Sequence, residues 1–208
     1  MKTSRQFKDK GPMPEAVFRE KMMMSPKRLQ HPKIPFLIFT PVALALLAYC
    51  IWHPGIDWLL FAGGLGGAIL FWTLYEYIVH RYFFHMQPRS PFWRKLLYSV
   101  HMAHHDYPND KRLMLIGPEV SLPGFAVFYG LFYLLLGHPA VHAFMFGMVS
   151  CYLAYDWLHF AAHNYHFKNK LFQYYQQHHL EHHFQDNEKN YGFTTTVWDE
   201  VMGTKLKD

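Results

Sequence analysis

Four apolar runs govern what this chain can fold into: roughly Pro35 to Trp52, Trp58 to Val79, Val120 to Leu136 and Ala140 to Trp157. Each is close to the ~20 residues that carry a helix across about 30 Å of hydrocarbon. A helix satisfies its own backbone hydrogen bonds there, where water cannot. The runs therefore predict an all-α polytopic membrane protein with four transmembrane helices. Hydrophobic residues make up 51% of the 208 and aromatic ones 19%, enough for one domain, yet they are bunched into these runs instead of spread as in a soluble core. A mean hydropathy of -0.10 conceals the pattern, because 16 histidines and a polar N-terminus offset the runs.

Two short links, "HPGID" at 53–57 and "GHPA" at 137–140, pair the runs into two helical hairpins. An amphiphilic stretch from Arg81 to Glu119 separates the hairpins, and a polar tail from His159 to Asp208 follows them. Lysine and arginine mark the cytoplasmic side of short loops. Nine of the 20 precede residue 34, six lie between Arg81 and Arg112, and five follow from Lys168, while 34–80 and 113–167 contain none. That distribution places both termini and the middle stretch in the cytoplasm. The chain divides into a basic cytoplasmic N-terminal segment, 1–34, and an integral membrane domain, 35–208. A histidine-rich helical cap, about 80–119 and 158–208, is expected on the cytoplasmic face of that domain. The net charge of +5 thus reads as a membrane face, with no nucleic-acid partner. The first apolar run lacks a small-residue cleavage site close behind it, so no cleavable targeting signal is expected. Cys50 and Cys151 sit inside apolar runs with no C-x-x-C spacing, which reads as packing.

The histidines carry the chemistry. "HMAHH" at 101–105 and "HLEHH" at 179–183 repeat one His-x-x-His-His frame. Residues i, i+3 and i+4 share a helix face, so His101, His104 and His105 can point into a common space, as can His179, His182 and His183. His159 and His163 have the same i, i+4 relation. His80 and His85 are five apart, about 140° around an ideal helix, and converge only if the helix ends or bends there. With 16 histidines in 208 residues, one such frame arises by chance in roughly one chain in ten and two in about one in a hundred. Ten imidazoles exceed what one ion takes. A first-row transition metal accepts about four to six ligands, so the set suits two ions, and imidazole accommodates Fe, Zn, Cu or Ni. His138 and His142 share the i, i+4 spacing but fall on the other side of the membrane, where they read as interfacial or packing residues. His31 and His53 stand alone, no haem is expected at "HPGI", and His166 and His178 adjoin the clusters without joining the set. Carboxylates that could orient metal-bound imidazoles lie nearby. Glu76 precedes His80 by four and Asp156 precedes His159 by three, with Asp106, Glu181, Asp186 and Asp199 in the polar segments. A carboxylate near a membrane boundary is costly unless paired.

In order along the chain, "WTLYEYIVHRYFFH", "HMAHHDYPNDKRLMLIGP", "YLAYDWLHFAAHNYHF", "QQHHLEHHF" and "YGFTTTVWDEVMGT" resemble successive signature segments of the membrane fatty acid hydroxylase and sterol desaturase superfamily. Within it the similarity is to the fatty acid 2-hydroxylase branch acting on sphingolipid acyl chains, from about Trp72 to Thr204. The resemblance implies that His80, His85, His101, His104, His105, His159, His163, His179, His182 and His183 bind two metal ions, iron by expectation, with zinc possible after purification. It places Tyr155 and Asp156 at a Tyr-Asp step before the third histidine pair, as catalytic candidates. It implies insertion of one oxygen of O2 at C2 of a fatty acyl chain, free or in a ceramide, with apolar material at Pro118 to Phe128 or around Phe83 and Phe84 bordering the substrate entrance. Some relatives carry a fused cytochrome b5 domain for which the N-terminal segment here is too short. Electrons are accordingly expected from a separate cytochrome b5 or ferredoxin-type protein. The expected location is a bacterial inner membrane or the endoplasmic reticulum.

The residues alone leave other reactions open: desaturation, sterol oxidation and carotenoid hydroxylation use similar histidine chemistry. A membrane zinc transporter or zinc-binding protein is a different class of reading. Transport calls for ligands near the bilayer midplane, and a structural zinc takes about four ligands. Ten histidines at the ends of the apolar runs fit neither well.

Overall fold

In the computed structural model the described residues, 11–23 and 31–207, form helices and connecting turns, with no strand among them. Glu15–Lys21 (α1) precedes the long helices Ile34–Trp52 (α2) and Trp58–Ile78 (α3). A π-helical turn, Val79–Phe84, extends α3. Pro91–Leu97 (α4) runs through a second π-helical turn, Tyr98–Met102, into Ala103–Asp106 (α5). Pro118–Leu136 (α6), Ala140–Asn164 (α7), Lys170–Phe184 (α8) and Val197–Val201 (α9) complete the order. The starts are written locally. Proline occupies the first turn of α2, α4 and α6, where no amide hydrogen is needed. Asp57 and Asn169 cap α3 and α8 by accepting from Leu60 and Leu171 N–H at 2.8 and 2.9 Å.

Three helices are long and apolar enough to cross a membrane: α2, α3 with its π-helical turn (27 residues), and α6. Their outer faces expose Leu37, Ile51, Leu59, Leu70, Val127 and Leu134, apolar surface suited to lipid. Four such helices were expected. The fourth, α7, is the longest single α-helix at 25 residues. It carries Asp156, His159 and His163 toward its C-terminal end, and Val141, Ala143, Met148 and Val149 along it are buried. α7 is the centre of the bundle, with α3 and α2 packed along it and α6 beside it.

Small residues allow that packing. A β-carbon built on Gly64 would stand 2.7 Å from the Ala143 Cβ, and one on Gly147 would stand 2.5 Å from the Ala68 Cβ. Gly64 with Ala68, and Ala143 with Gly147, are i, i+4 pairs on facing helices, the small-residue seam of close helix contacts in membranes. Around the seam Phe39, Trp72, Phe132, Phe144 and Tyr152 fill the core, with Phe132 and Phe144 ring centroids 4.2 Å apart.

The links 53–57 and 137–140 meet at one end. The Tyr49 hydroxyl bonds His138 Nε2 at 2.6 Å, and the His53 and His138 rings lie 5.0 Å apart. His142 is 17 residues before His159 on the same helix, about 25 Å away at 1.5 Å per residue. At the other end the described part of the N-terminal segment folds onto the middle stretch. Met13 and Phe18 are buried with Ala103 and Leu113, Met13 N–H donates to Asp110 at 2.9 Å, and Arg112 clasps Asp110 at 2.7 Å and the Met13 carbonyl at 2.8 Å. Residues 1–10 and 24–30 of the basic segment lie outside the described residues.

Candidate metal centre

All ten histidines singled out by spacing gather at one end of the bundle, in two groups of five. His80, His85, His101, His105 and His182 form the first, and His104, His159, His163, His179 and His183 the second. Within each group one ring nitrogen per residue lies within 4.8 Å of the others. The grouping follows helix geometry. Each group takes two same-face pairs and one lone histidine, and each His-x-x-His-His frame is split. The i, i+4 pair His101 and His105 enters the first group while His104 enters the second; His179 and His183 enter the second while His182 enters the first. The π-helical turn resolves the five-residue spacing of His80 and His85. Its i to i+5 bond, His85 N–H to the His80 carbonyl at 3.3 Å, stacks residues five apart on one face.

The nitrogens fit metal ions. His80 and His105 Nε2 approach His101 Nε2 at 3.0 and 2.9 Å, and His159 approaches His104, and His163 approaches His179, at 2.9 Å each. Ligands at right angles on metal–nitrogen bonds of about 2.0–2.1 Å stand about 2.9 Å apart. His85 Nε2, His182 Nε2, His104 Nδ1 and both nitrogens of His183 are buried without a hydrogen-bond partner; coordination removes that cost at His85 Nε2, His182 Nε2 and one nitrogen of His183. Burial holds His85 down to about 3, assisted by His80. Burial, then neighbouring imidazoles, holds His101, His104, His105, His179, His182 and His183 well below the ordinary value. The neutral ring is the form that binds a metal. Two further bonds set ring orientation: His80 Nδ1 reaches the Tyr191 carbonyl at 2.5 Å and His182 Nδ1 the Lys189 carbonyl at 2.6 Å, leaving Nε2 for a metal.

Those two carbonyls belong to a strap, residues 186–206, that closes over the first group. Asp199, fully buried, accepts from Tyr191 and Gly192 N–H at 2.8 and 2.7 Å, from the Thr204 hydroxyl at 2.7 Å and from His178 Nε2 at 3.1 Å. Asn190 donates to the His178 carbonyl and Glu181, and accepts from Leu206 N–H. Glu76 does not orient His80, as its spacing suggested. Its carboxylate accepts instead from Phe193 N–H at 2.5 Å and from the Thr194 amide and hydroxyl. Asp156, one turn before His159, is buried beside the Tyr152 hydroxyl and also meets no histidine among the described residues. Asp106 accepts from the Tyr98 hydroxyl, Glu181 from Gln177 and Asn190, and Asp186 from Glu188 N–H. His138, His142, His53 and His166 lie outside both groups.

A cavity of about 430 Å³ runs from the first group down between α3, α6 and α7. His80, Trp72, Tyr75, Phe125, Phe128 and Tyr155 are among its walls. Phe83 and Phe84 line it together with residues from Val120 to Phe128, so both segments expected to border an entrance border the same space. Tyr155 faces it with its ring centroid 5.6 Å from that of His159, whereas Asp156 does not line it.

Residues 65–204, which include all ten histidines, match the family described as fatty acid hydroxylase. The chain belongs to the fatty acid hydroxylase family. It is similar to the dihydroceramide fatty acyl 2-hydroxylase FAH2 of Arabidopsis thaliana, 33% identical over 136 residues, 65% of this chain and 57% of the relative. It is also similar to the ceramide very long chain fatty acid hydroxylase SCS7 of Saccharomyces cerevisiae, 35% identical over 144 residues, 66% of this chain and 36% of the relative. A solved structure of full-length scs7p, in which only the hydroxylase domain is visible, superposes with a TM-score of 0.83 at 27% identity, over 95% of this chain and 74% of that one. The chain thus spans less than two thirds of the length of these curated relatives.

In this member of the fatty acid hydroxylase family, the residues that spacing alone misses are those acting through the backbone. Lys189 and Tyr191 use carbonyls, which no side-chain pattern reveals. His178 and Asn190 hold the strap to α8. Asp199, Glu76 and Glu181 were visible in advance, as carboxylates near the histidines.

Proposed function

We propose that this protein is an O2-dependent dimetal hydroxylase, with iron as the working metal, that adds a hydroxyl to C2 of a fatty acyl chain, free or in a ceramide. One observation carries the reading: an apolar cavity sized for a lipid tail ends at His80, beside two groups of five neutral imidazoles. The names of the relatives support C2 as the position and an acyl lipid as the substrate.

Two bound metal ions would supply the redox chemistry that reduces O2 and delivers one of its atoms to a C–H bond. The chain's own residues do the rest. Trp72, Tyr75, Phe125 and Phe128 hold the tail by apolar burial, worth about 0.8 kcal/mol per methylene, and exclude water from the reacting carbon. Tyr155 presents a hydroxyl at the histidine end of this lining, suited to hold the substrate carbonyl so that C2, its neighbour, faces His80. Glu76 and Asp199 fix the strap that fixes His80 and His182.

The same reading gives the topology. α7 crosses with α2, α3 and α6 as a fourth span within the 35–208 membrane domain. The links at 53–57 and 137–140, which lack lysine and arginine, face away from the cytoplasm. The histidine groups form a cytoplasmic cap with the basic 1–34 segment and both termini on their side. This suits a multi-pass protein of a bacterial inner membrane or the endoplasmic reticulum, fed by a separate electron donor.

The test is lipid mass spectrometry on cells with and without the gene, grown under labelled O2 with a reductase and iron supplied. A lipid gaining one labelled oxygen at C2 is the expected result. Unchanged lipids, with metal occupancy and electron supply verified, would overturn the proposal.

A further inference from the structure

The apolar cavity has a limited capacity. At about 30 Å³ per methylene, close to the share of one molecule of liquid water, a volume of about 430 Å³ holds about 14 carbons. An acyl tail longer than that, with C2 at His80, has to leave the cavity. The walls show where. α6 contributes Val120, Ser121, Gly124, Phe125 and Phe128, which share one helix face. Farther from the histidines, the rings of Phe71, Tyr75 and Phe128 touch one another and close the space between α3 and α6. Centroids lie 5.8 Å apart for Phe71 and Tyr75, 5.1 Å for Tyr75 and Phe128, and 5.9 Å for Phe71 and Phe128. Toward α2, Phe125 meets Phe39 at 5.0 Å and Tyr152 at 5.3 Å, which closes that side.

One turn before Phe128 stands Gly124. A β-carbon built there meets nothing within 4 Å, so the α6 wall is open at that level. Gly124 also shares an i, i+3, i+7 stripe with Val127 and Leu131, both exposed on the lipid-facing surface. It therefore marks the edge of α6 at which the cavity face turns into the lipid face. Phe83, on the turn that extends α3, has the same double character: it lines the cavity and is exposed. α6 packs on α7 and α2, and the ring contacts that join it to α3 lie below Gly124.

Resting on the hydroxylase reading above, we propose that Gly124 determines specificity for tail length: the gap it leaves between α6 and α3 is a side portal through which the far end of a long acyl tail runs out into the bilayer. The cavity then grips the carbons nearest C2 and leaves the remainder in lipid. Tail length beyond the portal goes unmeasured. A larger side chain at 124 would stand in the path of the tail and turn the open cavity into a closed one, which admits only tails short enough to fit inside.

The test compares wild type with Gly124→Ala, Gly124→Leu and Gly124→Phe, metal-loaded in nanodiscs, on saturated acyl chains from decanoyl to tetracosanoyl, as free acids and as ceramides. Gly130→Leu is the control: Gly130 is exposed on the same helix, outside the cavity lining, with nothing within 4 Å of an added carbon. Wild type and the control are expected to hold kcat/KM level from hexadecanoyl upward. Gly124→Leu should lower the tetracosanoyl-to-decanoyl ratio of kcat/KM roughly tenfold or more, the scale of forcing a side chain into filled apolar space. The change should fall mainly on KM, with Gly124→Ala milder and Gly124→Phe stronger. Taking a ratio cancels any loss of folded protein. Binding is read separately, without reductant, by displacement of a fluorescent fatty acid, and should show the same length-selective loss. An unchanged ratio in Gly124→Leu and Gly124→Phe, or a wild type that itself falls off sharply beyond hexadecanoyl, would overturn the portal. A wild type that binds these chains but makes no product from any of them would overturn the hydroxylase reading instead, and the displacement series then decides the portal alone.

Discussion

His104 stands between His101, in the π-helical turn before α5, and His105, its neighbour on α5, yet faces a different set of partners, and it shows how finely single residues are assigned here. Replacing His104 by alanine is expected to reduce metal content and abolish the hydroxylated lipid. His138→Ala, at the far end of the bundle, should leave both at wild-type levels, as read by metal analysis alongside lipid mass spectrometry. Equal losses would break the link between position and role. Asp199→Asn should cost about 1–3 kcal/mol in unfolding, because four donors lose a charged acceptor. It should also weaken metal binding by about 10–100-fold through the strap that orients His80 and His182. A variant with unchanged metal affinity would confine Asp199 to stability. At this scale the gathering of the ten histidines was legible, because helical spacing fixes which side chains share a face. Their division between two groups was not, since it depends on which helix stands opposite each face. The partners of Glu76 were equally hidden, lying 117 residues away.

Among the elements, the seam between α3 and α7 matters most for rigidity, because the π-helical turn that extends α3 carries His80 and α7 carries His159 and His163. Gly147→Ala would push a methyl to 2.5 Å from the Ala68 Cβ and 3.3 Å from the Leu65 Cα. Such overpacking is expected to cost about 1–3 kcal/mol. Gly63→Ala, with nothing within 4 Å of the added carbon, should leave thermal stability at or above wild type. The long helices were readable from apolar composition to within a few residues at most boundaries. The exception, α7, extends to Asn164 instead of ending near Trp157. Its polar final turns remain helical because they face the histidine groups, an environment that hydropathy does not register. The two π-helical turns also escaped periodicity, although the five-residue spacing of His80 and His85 required a departure from an α-helix there.

For the whole molecule, burying many neutral imidazoles makes the metal-free protein sensitive to acid. Their folded-state values lie below the ordinary 6.5, so the unfolded chain takes up protons first and stability falls as pH drops below about 6.5. Asp199 acts lower on the scale. Burial raises its value, but hydrogen bonds from His178, Thr204 and the Gly192 and Tyr191 amides outweigh that and hold it below 3.8, so its contribution is lost only as pH falls below about 4. Near-ultraviolet circular dichroism of metal-free protein in detergent should therefore show loss of tertiary structure beginning near pH 6, and added metal should move the onset downward. An onset near pH 4 without metal would show that the histidines are not buried neutral. Chain-wide charge placement is what supports the proposed topology, whereas the way the described N-terminal residues clasp Asp110 and Arg112 depends on contacts across about 100 positions.

The splitting of both His-x-x-His-His frames bears on how the protein acquires its ions. α5 and α8 each serve both groups, so an ion arriving in one group fixes two of the helices that the other needs. Loading should then be close to all-or-none. In native mass spectrometry of metal-free protein titrated with less than two equivalents of Fe(II), chains with two ions and chains with none should dominate over chains with one. A statistical spread with abundant single-ion chains would show that the two groups fill independently.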